Sequence, residues 1–339
     1  MNVISIHERT WKSLQARRQQ MPHALMLIGQ RGLGKFELAK QFTASLLCEQ
    51  PKEAGVACGK CLPCNWYAQG NHPDFRLLQP AAFSEEVETD DTRKKASQQI
   101  TIDQVRELDD FLSVGTHRDG LRIILINPTE AMNRSTANSL LKSLEEPTPS
   151  TLFLLISSEP LRLLPTLRSR CQIVPIRLPE PSIAAKVLAE EGVQQPERWL
   201  ALAGGAPGLA IEIAASGQTG LIDLLIQRAS EGNQANPLVV AAELDKQIKE
   251  SKGRVQLKSV VDFFQKWMID LTMAQNQLSP RYFLQQQSTI ISLAAMIPQI
   301  RLLHAYRALL ISRREAEQPL NSRLFLEGLL MDYRALFAK

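Results

Sequence analysis

At 339 residues the chain is too long for one typical hydrophobic core, so two or three domains are expected, and an apolar share of 44% is ordinary for a soluble globular protein. A net charge of +4, from 39 basic against 35 acidic residues, is too slight and too interspersed to mark a nucleic-acid binder, although it permits an anionic partner. The opening "MNVISIHERTWKSLQ" lacks the apolar core of a signal peptide and no later run reaches the length of a membrane span, so no membrane and a cytoplasmic location are expected.

Residues 9–20 read as a polar amphipathic helix. "HALMLIG" (His23 to Gly29) is a short apolar run stopped by glycine, as expected of a buried parallel strand. Helical spacing then runs from Gly34 to Leu47, with Phe36, Ala39, Phe42 and Leu46 on one side. Further on come "DFRLLQP" (Asp74 to Pro80), a polar loop from Ser84 to Gln99, and a helix across "TIDQVRELDDFLSV" from Thr101 to Val114. Two strand-like runs, "LRIILIN" (Leu121 to Asn127) and "TLFLLIS" (Thr151 to Ser157), flank the helix "STANSLLKSLEE". That helix is expected to stop at Glu146, because Pro147 disfavours helical geometry in the residue before it. Strands alternating with helices indicate a doubly wound sheet. After about Pro179 helical patterns take over, with breaks at Gly204-Gly205, Gly232 and Gly253 and an inter-helix loop from Gln275 to Ser288. Leu257, Val260, Val261, Phe264, Trp267, Met268 and Leu271 form one apolar helix face and read as packing residues.

Within "GQRGLGKF" the frame Gly-x-x-x-x-Gly-Lys runs from Gly29 to Lys35, between a strand and a helix as a phosphate loop requires. In the nucleotide-binding reading, the backbone N–H groups of Gly32 and Gly34 cradle phosphates and Lys35 neutralises them. The alternative is a tight strand-to-helix turn with a solvated lysine. Phe36 stands where a phosphate loop carries the Ser or Thr that holds magnesium. The acidic pair expected at the end of a second strand is also missing, because "RIILIN" ends in Asn127 and Pro128, with Glu130 displaced by two places. Three losses bearing on one reaction indicate a site that does not hydrolyse nucleotide, while weak metal-free nucleotide binding stays open.

Four of the five cysteines, Cys48, Cys58, Cys61 and Cys64, lie within "CEQPKEAGVACGKCLPC". In a reduced compartment such clustering indicates metal, and turns at Gly59 and Pro63 let closely spaced thiolates converge on a structural zinc ion. Four thiolates leave no open coordination position, so catalysis by this metal is not expected. Redox Cys-x-x-Cys chemistry is the rival reading. Cys171, far downstream, reads as a packed residue.

From Asn138 to Cys171, "NSLLKSLEEPTPSTLFLLISSEPLRLLPTLRSRC" strongly resembles the bacterial clamp-loader subunits of the AAA+ class, and the cysteine module after the phosphate-loop helix is typical of them too. The resemblance is specific from His23 to Arg177 and weaker through the helical remainder. It implies an α/β RecA-like (AAA+) phosphate-loop domain over 1–171 with a zinc module at 48–64, a helical lid over 172–214, and an all-α collar over 215–339. The ATP-hydrolysing gamma/tau pattern would have Thr at position 36, Asp-Glu at 127 and 128, and an arginine where this chain has Gly208. Its absence implies a non-hydrolysing stator within a hetero-pentamer of gamma/tau and delta subunits. Such a complex places the sliding clamp on primed DNA in replication, as part of a DNA-directed DNA polymerase holoenzyme. In the family, Arg170 of "SRC" matches the arginine finger that reaches the ATP site of a neighbouring subunit, and Ser157 and Ser158 match a phosphate-sensing position. Read from the residues alone, Arg168 and Arg170 are two surface arginines. The other readings are an ATP-hydrolysing motor of the same family and a zinc-dependent DNA-binding protein.

Overall fold

The computed structural model describes residues 2–83, 97–113, 120–251 and 255–338. The polar stretch at 84–96, the end of the expected helix at Val114 and the break at Gly253 lie outside the described residues. The chain divides into two compact units, Met1–Pro179 and Glu180–Lys339.

The first unit begins with α1 (Val3–Ile6) and α2 (Glu8–Ala16), whose last turn tightens to 3-10 geometry over Arg17–Gln20. It continues through β1 (Ala24–Ile28), α3 (Lys35–Leu47), α4 (Leu62–Ala68), β2 (Phe75–Leu78), α5 (Ile102–Ser113), β3 (Arg122–Ile126), α6 (Arg134–Glu145), β4 (Thr151–Ser157), α7 (Pro165–Arg168) and β5 (Gln172–Pro175). The five strands form a sheet in the order β2-β3-β4-β1-β5, and every pairing is parallel. β3 and β4 are buried along their whole length, which is why they read in the sequence as unbroken apolar runs.

β1 lies between β4 and β5, and it aligns with β4 from Ala24 opposite Phe153 to Ile28 opposite Ser157. That register brings the loop after β1 level with the end of β4, at the carboxyl edge where open α/β sheets carry their ligand crevices. β5 had no counterpart in the expected elements. Only Val174 of its four residues is buried, so this edge strand, ending in Pro175, carries no apolar run.

Two helices differ in detail from expectation. On α3 the buried face is Lys35, Leu38, Ala39 and Phe42, whereas Phe36 and Leu46 are only half-buried. Ala39 and Phe42 are buried as expected, and Lys35, Leu38, Thr43 and Ser45 complete the inward face. α6 ends one residue early at Glu145, and Glu146 leaves helical geometry ahead of Pro147. Its start is capped by the Asn133 side chain, which accepts a hydrogen bond from the Thr136 N–H at 2.9 Å.

The second unit is all-helical: α8 (Pro181–Glu190), α9 (Pro196–Leu202), α10 (Pro207–Ala215), α11 (Thr219–Ser230), α12 (Pro237–Glu250), α13 (Leu257–Gln275), α14 (Gln287–Ala295), α15 (Gln299–Glu315) and α16 (Ser322–Ala335). Several open on proline, whose fixed φ suits the first helical position and whose missing N–H is not needed there. One apolar cluster extends from Ala184 to Leu336. The expected face of α13 is buried in it except for Leu257, which is half-buried, and Phe263 and Asp270, together on one flank of that face, are buried as well. The Trp267 indole donates to the Tyr333 hydroxyl at 3.1 Å, and that hydroxyl donates to the Ala229 carbonyl at 2.6 Å.

Asp270, fully buried, accepts backbone N–H groups of Arg281 (2.8 Å), Tyr282 (2.9 Å) and Phe283 (2.8 Å), and so anchors the loop between α13 and α14. Asparagine at this position has one acceptor oxygen, and it turns an amide donor toward backbone donors. We expect Asp270→Asn to destabilise the second unit by about 1–3 kcal/mol. Urea unfolding checks this, and an unchanged midpoint would count against the anchoring role.

Candidate functional site

β1 stops at Ile28, and the six residues Gly29 to Gly34 turn the chain into α3. Gly34, which caps α3, has a left-handed backbone at φ 72°, and Gly32 is similar at 81°. A Cβ on Gly29 would stand 2.6 Å from the Ile176 carbonyl oxygen. The glycine frame is therefore required by the turn itself, whatever the loop binds.

Lys35 is buried, with only 5% of its surface exposed, which excludes the solvated-lysine reading. Its ammonium donates to the carbonyls of Gly29 (2.9 Å) and Gln30 (2.8 Å) and to the Ser158 hydroxyl (2.9 Å). An ammonium has three donors, and all three are used inside this chain. Burial pushes Lys35 down to about 8, against the opposing pull of the Glu130 and Glu37 carboxylates. Glu130 lies in a 3-10 turn after β3 and accepts the Ser158 N–H at 2.9 Å, so it braces the residue on which Lys35 rests. Ser157 is buried at the end of β4, and its hydroxyl accepts the Glu159 N–H at 3.2 Å. On the other side of the loop, the ring of His7 meets the Leu33 carbonyl through Nε2 at 2.6 Å, and burial holds its pKa below the usual imidazole value. Phe36 is half-buried, and the Lys40 ammonium lies 5.3 Å from its ring centre.

The four clustered cysteines converge. Their sulfur atoms all lie within 4.8 Å of one another, and these residues could hold a metal ion. Two opposite edges of the sulfur tetrahedron, Cys48 to Cys61 and Cys58 to Cys64, both measure 3.9 Å. A regular tetrahedron of that edge has its centre about 2.4 Å from each sulfur, close to a metal–thiolate bond. The backbone N–H groups of Lys60 and Cys61 point at the Cys58 sulfur at 3.3 Å and lower that thiol to about 6. Gly59 makes the expected turn with its φ at 73°, but Pro63 does not form one: it lies in the first turn of α4, with Cys61 as the capping residue. Cys171 takes no part, being buried near α7 with its thiol directed to the Leu167 carbonyl.

Arg170 lies between α7 and β5. One arm of its guanidinium donates to the Thr166 carbonyl at 2.7 Å, and the other forms an ion pair with Glu145 at the end of α6. Its side chain is 33% exposed. Arg168 is half-buried, and its Nε has no hydrogen-bond partner among the described residues.

Comparison with known proteins places this architecture. The family model described as "DNA polymerase III, delta subunit" matches residues 6–180. The DNA polymerase III subunit delta' of Pseudomonas aeruginosa is 35% identical over 81% of this chain and 78% of its own length. The chain belongs to the delta-prime family of DNA polymerase III subunits. The family members of Escherichia coli and Bacillus subtilis are 32% and 33% identical over 56% and 52% of this chain, and the matches span about half the length of each relative, 54% and 48%. A DNA polymerase III gamma subunit-related protein from Thermotoga maritima has a solved structure that aligns over 98% of this chain and 99% of its own, at 16% identity and a TM-score of 0.43.

For this delta-prime family member, the sequence brought forward Gly29, Gly32, Gly34, Lys35, the four cysteines and Arg170. The roles of His7, Glu130 and Glu145 carried no local signal, since each acts on a group far away in the chain. The burial of Lys35 has a consequence that pH reveals. Between about 8 and its ordinary value of 10.5 the folded chain binds fewer protons at this site than the unfolded chain, so stability contributed by Lys35 rises across that window. The wild-type chain is expected to gain stability relative to Lys35→Met between pH 8 and 10. Urea midpoints of the two chains across that range check it, and a flat or falling difference contradicts it.

Proposed function

We propose that this chain is the non-hydrolysing stator of a clamp loader. It joins gamma/tau and delta subunits in a hetero-pentamer that places the sliding clamp on primed DNA in the cytoplasm, and it presents Arg170 to the ATP site of an adjacent motor subunit. Clamp-loader membership follows from the family. The stator role is carried by one observation, the full engagement of the Lys35 ammonium within its own loop and with Ser158. A lysine so engaged must surrender these bonds before it can meet a nucleotide's phosphates, and neither Phe36 nor the Asn127-Pro128 pair offers magnesium a ligand of the usual kind.

The first unit serves in this reading as the AAA+ domain; because β5 pairs with β1 in its sheet, the lid is drawn after Pro179 rather than from 172, up to 214, with 215–339 as the collar. The collar assignment draws on α15. Ile300, Leu303, Leu310 and Ile311 are exposed on one side of it, while Leu302 and Leu309 are buried on the other. The expected packing face at Phe264 and Trp267 is occupied within this unit itself. No single helix among the described residues is long and apolar enough to cross a membrane.

The cysteine module takes zinc as a structural ion, since four thiolates at this spacing suit its tetrahedral preference and leave no position for substrate. Metal analysis of the purified chain is expected to give about one zinc per chain, with Cys61→Ser losing it. A chain that folds with far less than this stoichiometry contradicts the assignment.

The finger role is tested in the reconstituted loader. Arg170→Ala should leave assembly intact by gel filtration and slow single-turnover hydrolysis at the adjoining ATP site by roughly 10³-fold. Unchanged hydrolysis there removes the assignment, and ATP turnover by the isolated chain that Lys35→Ala abolishes removes the stator reading.

A further inference from the structure

Arg170 is not a free surface side chain. Its guanidinium spans two fixed points: the carboxylate of Glu145 at the end of α6 and the carbonyl of Thr166 in α7. Both supports are set by the hydrophobic core. Leu144, next to Glu145, is 1% exposed, Leu167 on α7 is 1% exposed, and Cys171, next to Arg170, is 9% exposed. All three belong to one apolar cluster beneath the sheet. The backbone on either side of the ion pair is thus held by packing, and the pair closes the remaining freedom of a long side chain.

We propose that Glu145 is a positioning residue for Arg170, orienting its guanidinium for a phosphate on the neighbouring subunit. The inference rests on the reading of Arg170 as a finger. Arginine carries five N–H donors in a rigid plane, and the two internal contacts engage two of them. Three remain, enough for a two-pronged contact with phosphate oxygens. The guanidinium cannot lose its proton, so pairing with a carboxylate leaves its charge in place. The pair is also too exposed to compete strongly with a phosphate, with 33% of the arginine and 48% of the glutamate side chain accessible. A weak contact of this kind restricts rotamers without sequestering the group. Positioning contacts of this sort act on the transition state more than on substrate binding, because misplacing a reacting partner by about an ångström costs rate.

Glu146 provides a built-in control. It is the adjacent glutamate, exposed, and outside helical geometry, so it tests whether any carboxylate at the end of α6 suffices.

The test is a double-mutant cycle in the reconstituted loader, with single-turnover ATP hydrolysis as the readout. Glu145→Ala and Glu145→Gln are expected to slow hydrolysis at the adjoining site roughly tenfold at saturating ATP, with little change in the ATP concentration giving half-maximal rate. Glu146→Gln is expected to have no such effect. In an Arg170→Ala background Glu145→Ala should add nothing, because its action passes through the arginine. The thermal unfolding of the chain should be unchanged by Glu145→Ala, as for an exposed ion pair. If Arg170→Ala slows hydrolysis while the Glu145 variants do not, or speed it, the positioning role is overturned and the finger stands. An additional loss on top of Arg170→Ala also overturns it, since Glu145 would then act elsewhere. If Arg170→Ala has no effect, the finger reading and this inference fall together.

Discussion

The three hydrogen bonds of the Lys35 ammonium hold together the part of the molecule where ligand chemistry would be expected. They join the loop after β1 to Ser158 just beyond β4, and Glu130 secures that serine from the turn after β3. Three strand ends are thereby tied into one network. A charged group taken almost wholly out of water is tolerable only when every donor is met, and here each is met by the protein. The carboxyl edge of the sheet is consequently braced from inside.

That brace changes what the neighbouring charged groups can contribute. With Lys35 engaged internally, Arg170 retains both exposure and spare donors. Its surroundings resemble those of Lys35 in one respect: each cation is fixed by a backbone carbonyl together with a side-chain acceptor carried on a different element. They differ in depth, and depth decides the outcome. A buried ammonium with all donors engaged is a structural tie, whereas a partly exposed guanidinium with donors left over remains available to an outside anion.

Much of the fold was legible in the residues. β4 matched its expected span residue for residue, and α3 and α5 matched to within a residue over their described lengths, because long apolar or periodic runs are strong signals. β5 was missed because an edge strand with a single buried residue has no such run. On α3, Ala39 and Phe42 are buried as expected, whereas Lys35 is buried too and a lysine gives no apolar signal. On α13 a single apolar face was read correctly but incompletely. Asp270 and Phe263 are buried together on its flank, and a charged residue gives no hydrophobic signal even when backbone N–H groups offset part of the cost of its burial.

The sequence by itself determined the local chemistry: the strand–loop–helix order around Gly29 to Lys35, the absence of a hydroxyl at position 36, and four cysteines spaced to converge. These depend on residue types at short separations, where stereochemistry alone limits the outcome. Tertiary structure decided where the charges go. Lys35 meets Ser158 across 123 positions of chain because parallel pairing sets the end of β1 against the end of β4. Glu145 meets Arg170 because α6 and α7 pack their leucines into the same core. Periodicity cannot register such contacts, since they arise from the register of strands and the seating of helices between distant segments.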